Sequence, residues 1–186
     1  IEFDRPDFPW LFTPARATAT GQLRPWLCLV VVREQSGVSI APASANSLPV
    51  LHIVDPAKPV DELPDLAECW AWAHSQVAAL GTQTASVTAA LGGATELSLS
   101  RLVCPRRLEP DTAYTACVVP IFELGRRAGL GATIADSEVT AGDALAPAWT
   151  ITRAPPAPPA GPATVELPVY HQWRFRTGSV GDFESL

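Results

Sequence analysis

Four stretches of the chain carry the hydrophobic pattern of β-strands. Residues 23–34 and 48–54 are apolar over most of their length and rich in β-branched side chains, which indicates strands covered on both faces. Residues 112–121 predict a third strand by composition. Residues 165–177 alternate between apolar and polar positions, which predicts a strand with one solvated face. Residues 38–40 are a candidate for a short edge strand.

Helical spacing is clearest in residues 65–80. Their large apolar side chains recur at intervals of three or four residues, and Asp65 stands where an N-cap is expected. We therefore predict one main amphipathic helix there. A second, short helix is predicted over residues 122–128, ended by Gly129.

The remaining segments are predicted as connections or short elements. Residues 1–22 are rich in proline and aromatic residues and predict an extended arm that lays Phe and Trp rings on the body. Residues 152–164 are proline-rich and predict a semi-rigid surface crossing. Residues 82–94 are small and polar, typical of a loop. Residues 95–103 fit both the alternation of a β-strand and the spacing of a helix, and we interpret them as a short helix.

Together these elements predict an α+β fold. It is a single domain, 1–186, with a mixed, largely antiparallel sheet of about 4 to 7 strands and the 65–80 helix packed on one face. The chain contains no methionine, opens within an aromatic segment and stops close to a possible helix start at Asp182. We therefore expect it to be a fragment of a longer chain.

Composition narrows the class of protein. Hydrophobic residues make up 47% of the chain and charged residues 17%, which is too apolar and too weakly charged for a disordered chain. The net charge of −6 argues against a nucleic-acid or anionic-membrane partner. No apolar run approaches the ~20 residues that a membrane-spanning helix needs, so we predict no membrane insertion.

The four cysteines do not form a local metal or redox motif. Cys28, Cys69, Cys104 and Cys117 are far apart, and three of them have apolar neighbours. Free, mostly buried thiols in a reducing, cytoplasmic compartment are the favoured interpretation, and a particle assembled there is compatible with it. One or two disulfides are the alternative.

No motif of catalysis, metal binding or cofactor binding is recognisable, so no catalytic residue, metal ligand or cofactor is predicted. The histidines lie inside regular elements beside large apolar residues, where a hydrogen-bonded core or border position is the common outcome. The alternative is a hydrolase-type site assembled from the distant residues His74, His171, Arg106 and Asp182.

Two features favour contact with a partner. Arg106 and Arg107 lie in a polar break between apolar segments, where they fit either a partner's acidic groups or an intramolecular carboxylate such as Glu109 or Asp111.

The second feature is the tryptophan content. The chain has 6 Trp residues. Trp70 and Trp72 lie about 200° apart on a helix, so only one can face the same core, and the other meets a second layer, a partner or solvent. The predicted partner-binding residues are Arg106, Arg107, Trp10 and Trp72. A small-ligand or glycan-binding module that uses an exposed tryptophan is a further alternative.

Five segments carry a resemblance to a known family: DFPWLFTPA, LRPWLCLVVV, WAWAHSQV, SRLVCPRRLEPDTAYTACVVP with FELGRRAGLG, and LPVYHQWRFRTGSVGDFESL. They resemble a family of large, uncharacterised bacterial proteins that accompany phage-tail-like contractile particles. The resemblance implies a bacterial source and a domain within a longer chain. The resulting hypothesis is a non-catalytic structural or protein-interaction domain of a larger bacterial assembly, with a protein partner or self-assembly.

Overall fold

The computed structural model describes residues 1–42, 47–78, 83–92, 98–140, 142–153 and 156–179. The fold is α+β, as predicted. The described strands form three sheets of three strands each, and every pairing between strands is antiparallel. In chain order the strands are β1 (Glu2–Phe3), β2 (Leu27–Arg33), β3 (Val38–Pro42), β4 (Pro49–Ile53), β5 (Ala73–Gln76), β6 (Leu99–Leu102), β7 (Ala113–Pro120), β8 (Val165–Pro168) and β9 (His171–Arg176).

The central sheet has the strand order β2-β7-β9, and the other two sheets cover its two faces. Successive side chains of a strand point to opposite faces, so β2 contributes to two cores. Val30 and Val32 pack with Leu51 and other residues of the β3-β4-β8 sheet. Leu29 and Val31 pack on the other side, where the cluster includes residues of the β1-β6-β5 sheet. The continuously apolar pattern of residues 23–34 therefore predicted correctly a strand buried on both faces.

Residues 165–177 form two strands rather than the predicted single one. β8 belongs to an outer sheet beside β4, and β9 belongs to the central sheet beside β7. The chain changes sheets at Val169 and Tyr170, whose N–H groups donate to Pro49 O and Val118 O, respectively. The alternating pattern of residues 165–177 does not show this change of sheet, because β8 and β9 each alternate between apolar and polar positions.

The predicted main helix over residues 65–80 is wrong beyond its first turns. Asp65 is an N-cap, since its carboxylate accepts from Ala67 N at 3.0 Å, but the helix is a 3-10 helix, Leu66–Trp72. The chain then continues directly as β5, which pairs with β6. The predicted end of the helix near Gly81 lies outside the described residues. Pairing with a neighbouring strand therefore overrides a helical pattern, as tertiary context often does.

Two further assignments change. The predicted loop over residues 82–94 contains the α-helix α2 (Thr84–Gly92), which has no large apolar stripe and is largely exposed. Its alanines supply helix propensity without a hydrophobic pattern. The described part of the predicted helix over residues 95–103 contains β6 instead.

The remaining helices are short. They are α1 (Pro59–Glu62), α3 (Glu123–Gly129) and α4 (Asp136–Thr140), with 3-10 helices at Phe8–Trp10 and Gly142–Leu145. The predicted helix over residues 122–128 is confirmed by α3. No described helix is long and apolar enough to cross a membrane.

The four cysteines are free thiols, and three of them are buried. Burial raises the pKa of Cys117 to about 12 and that of Cys69 to about 11. It also raises the pKa of Cys28 well above the ordinary value. The buried thiols are therefore protonated at neutral pH, and a protonated thiol is a poor nucleophile.

Candidate functional site

Arg106, the first residue predicted to contact a partner, is occupied within the chain. Its Nη1 donates to Glu62 Oε2 at 2.6 Å and to the carbonyl of Val31 at 3.0 Å. The Arg106 side chain is 14% exposed, and that of Glu62 is 0% exposed. The predicted intramolecular alternative is thus right in kind, but the carboxylate is Glu62 and not Glu109 or Asp111. Glu109 pairs with Arg33 instead.

The Glu62–Arg106 ion pair closes one edge of the central sheet. Glu34 N donates to Ala113 O and Ile121 N donates to Trp26 O, so even-numbered residues of β2 bond to β7. The backbone groups of Val31 and Arg33 consequently point away from β7. Arg33 N donates to Glu62 Oε2 at 2.9 Å, and Val31 O accepts from Arg106. The ion pair therefore takes the place of a further strand.

A cavity of about 410 Å³ lies beside this ion pair. Its lining combines apolar side chains, among them Leu63 and Trp72, with charged ones that include Asp61 and Glu68. Neither His74 nor His171 lines it.

The residues of the hydrolase alternative are not brought together at this cavity. His74 is exposed on β5, with Nε2 3.1 Å from Ala71 O. His171 is exposed on β9 beside Trp173, with ring centroids 5.7 Å apart. Asp182 lies outside the described residues. Within the described part of the chain, no group of three or more potential ligands is placed to hold a metal ion.

The other predicted contact residues differ in exposure. Arg107 is exposed and forms no ion pair with a described residue. Trp10 is half-buried, and its Nε1 donates to Leu23 O at 3.1 Å. Trp72 is buried in the core, whereas Trp70 is 38% exposed. The choice of Trp72 as the exposed residue of the two is therefore wrong. A glycan platform that uses an exposed tryptophan stays a prediction, and Trp70 is its candidate.

An aromatic groove of about 390 Å³ lies on another part of the surface. Its lining includes Phe12 and Trp26 from the N-terminal part, Phe122 and Val139 from the segment of α3 and α4, and Tyr170 from the turn into β9. Trp26 is at its centre, with the rings of Phe12 and Tyr170 5.3 and 5.6 Å away. None of the residues that line the groove carries a charge at neutral pH. The groove is thus an apolar surface built from sequence-distant segments.

Exposure of its side chains distinguishes this groove from the core. Phe12 is 65% exposed, Val139 58% and Tyr170 39%. Single exposed apolar residues are ordinary on protein surfaces, but clustered ones mark sites of interaction.

The N-terminal arm and the turn before β2 hold the groove in place. Trp26 Nε1 donates to Phe8 O at 2.8 Å, and Trp26 N donates to Pro9 O at 2.8 Å. The Phe8 ring lies 5.7 Å from that of Trp26. These bonds fix the central indole before any partner binds. The guanidinium of Arg24 stacks over the Phe122 ring at 5.1 Å and adds a positive charge near the groove.

Sequence reasoning found one side of this groove and missed the other. The sequence predicts that the aromatic arm packs on the body, and Phe3 and Phe8 do so, since both are partly buried against the core cluster that includes Leu29 and Val31. Trp26 falls inside the predicted strand over residues 23–34, and Tyr170 falls on the polar side of the predicted strand over residues 165–177. In the structure both residues lie just outside a strand, and the sequence pattern does not show that break.

The chain was compared with protein-family models, with curated proteins and with solved structures. None of the three comparisons found a match.

Proposed function

We propose that this chain is a non-catalytic protein-interaction domain of a larger bacterial protein or assembly, such as a phage-tail-like particle. The aromatic groove carries the proposal. It clusters Phe12, Val139 and Tyr170 in an exposed state around a fixed Trp26, without a charged side chain in its lining.

The composition of the groove fits a protein partner. Aromatic residues are enriched at the centres of protein interfaces, where they supply a large contact area at a low cost in side-chain entropy. Tyr170 also carries a hydroxyl at the end of an apolar ring, which suits a surface that is wet when free and covered when bound. Preorganisation of Trp26 by its hydrogen bonds to the arm lowers the entropy lost on binding.

The absence of an assembled catalytic constellation around the described cavity beside Arg106 also favours binding over catalysis. Its most buried carboxylate, Glu62, has three partners already: Arg33 N, Gln35 Nε2 and Arg106. These contacts give Glu62 a structural role at the edge of the central sheet.

We expect Phe12→Ser/Tyr170→Ser to weaken partner binding about tenfold or more, because truncation of an interface hot spot typically costs more than about 1.4 kcal/mol. The test is quantitative co-purification of the tagged full-length protein from the cells that make it naturally. Leu108→Ser/Val54→Ser is the control, since both are exposed apolar side chains outside the groove, at 37% and 40%, close to the 39% of Tyr170. If both double variants retain the same partners at the same levels, the groove is not the interaction site.

A further inference from the structure

The second edge of the central sheet, at β9, is open. In the part of the chain that the structure describes, β9 pairs with β7 on one side and with no strand on the other. Even-numbered residues of β2 bond to odd-numbered residues of β7, so the even-numbered residues of β7 bond to β9. Their partners in the register are His171, Trp173 and Phe175. The N–H and C=O groups of Gln172, Arg174 and Arg176 therefore point away from the sheet.

The two edges of this sheet differ in whether side chains bond to their outward backbone groups. At β2, the outward N–H of Arg33 and the outward carbonyl of Val31 are bonded by Glu62 and Arg106, so these two groups are not available to an added strand. At β9 no described side chain takes that role. Open strand edges are templates for the addition of an extended segment of another protein.

The side chains of β9 specify what can add. Gln172, Arg174 and Arg176 are exposed on one face, and the Arg174 side chain is 80% exposed. Arg174 has only a surface contact, Nε to Glu34 Oε1 at 3.2 Å, and such pairs contribute little. On the other face Trp173 and Phe175 are half-buried, with Phe175 stacked on Tyr114 at 5.7 Å. The edge therefore offers a cationic face and an aromatic face.

We propose that β9 is a docking edge for an extended segment of a partner protein that alternates acidic and apolar residues. Acidic side chains of that segment lie opposite Arg174 and Arg176, and its apolar side chains extend the aromatic face of Trp173 and Phe175. Charge disfavours a second copy of this chain in the two antiparallel registers of β9 that set Arg174 against Arg174 or against Arg176, because like charges directly opposite repel.

The test uses synthetic peptides that have the six-residue length of β9 and capped ends. We expect the peptide Glu-Val-Glu-Val-Glu-Val to bind about tenfold or more tightly than Lys-Val-Lys-Val-Lys-Val, because two facing charge pairs change sign. Binding is measured by fluorescence anisotropy with the intact chain. Residue-resolved hydrogen exchange should show new protection at the amides of Gln172, Arg174 and Arg176, whereas those of Trp173 and Phe175 are already protected.

Three controls separate strand addition from simple charge attraction. A block peptide, Glu-Glu-Glu-Val-Val-Val, and an alternating peptide with methylated backbone nitrogens keep the charge and should bind at least about tenfold more weakly. Gln172→Pro removes one outward N–H, keeps both arginines, and should weaken binding without loss of the thermal unfolding transition. Arg174→Glu/Arg176→Glu should reverse the preference between the Glu and Lys peptides.

Equal binding of the alternating and block peptides, or no new protection at the three outward amides, would overturn the proposal. Failure of Phe12→Ser/Tyr170→Ser to affect partner binding would leave it intact, because β9 does not depend on the groove side chains.

Discussion

Arg106→Ala is expected to lower the free energy of unfolding by about 3 to 5 kcal/mol. The substitution leaves the carboxylate of Glu62, whose side chain is fully buried, without its cation. It also leaves the outward carbonyl of Val31 without the donor that it has at 3.0 Å. Removal of one partner of a buried ion pair costs far more than the pair contributes, because the remaining charge stays desolvated. Chemical denaturation followed by tryptophan fluorescence measures the loss.

Two comparisons sharpen this prediction. Glu123→Ala breaks the more exposed Glu123–Arg126 pair of α3 and should cost only about 0 to 1 kcal/mol. Glu62→Leu/Arg106→Leu removes both charges, which often restores stability for a simple buried pair. Here we expect the double variant to stay destabilised, because Arg33 N–H and Val31 C=O lose their partners, at a cost of about 1 to 3 kcal/mol for each group. Recovery to wild-type stability would show that the pair does not close the sheet edge.

Leu51→Ala is expected to lower the free energy of unfolding by about 2 to 5 kcal/mol. Leu51 is 0% exposed on β4 and packs in the core between the central sheet and the β3-β4-β8 sheet. Truncation removes apolar area from that core and leaves a cavity that flanking strands cannot fill. The measurement is again denaturant unfolding, with the slope of the free energy against denaturant checked for two-state behaviour.

His52 provides the control on the same strand. It is the next residue, faces the other side of the sheet and is 34% exposed, with Nδ1 3.3 Å from Oε1 of exposed Glu166. His52→Ala should therefore cost less than about 1 kcal/mol. Similar losses at the two positions would contradict the three-layer arrangement, since that arrangement buries the Leu51 side chain in the core and leaves the His52 side chain partly exposed.

Local patterns predicted the strands of the central sheet but not the division into layers. β2 and β7 are largely apolar and rich in β-branched residues, and they are buried along most of their length because both faces of the central sheet are covered. The composition of the outer sheets depends on which strands pair with each other. Local sequence patterns do not give these pairings, because most of the partners are far apart along the chain. β1 pairs with β6 almost a hundred residues away. The helical spacing of residues 65–80 failed for the same reason, since Ala73–Gln76 form a strand that pairs with β6.

The candidate sites were predictable only in part. Arg106 was identified from its polar position between apolar segments, but its partner Glu62 is 44 residues away and lies in a short helix that has no distinctive sequence signal. Which member of the Trp70–Trp72 pair is exposed depends on which face of the 3-10 helix packs on the core. The spacing of apolar residues alone does not give that face. The aromatic groove combines the arm, the start of β2, α3 and the turn before β9, so no local motif describes it.

The groove and the β9 edge adjoin. Tyr170 lines the groove, and the next residue begins β9. A partner that places apolar side chains beside Trp26 is therefore well positioned to continue along β9, although each surface can be tested without the other.

Site-specific photo-cross-linking from inside the groove tests the interaction function most directly. A photoreactive phenylalanine replaces Phe12 in the full-length protein, produced in the cells that make it naturally, and the same residue replaces Leu108, which adjoins Arg107, in a parallel strain. We predict a discrete protein adduct from position 12, lost when Tyr170→Ser is added, with adducts to the same chain revealing self-assembly. Adducts from position 108 but not from position 12 would contradict the groove as the interaction site and return the contact to Arg107.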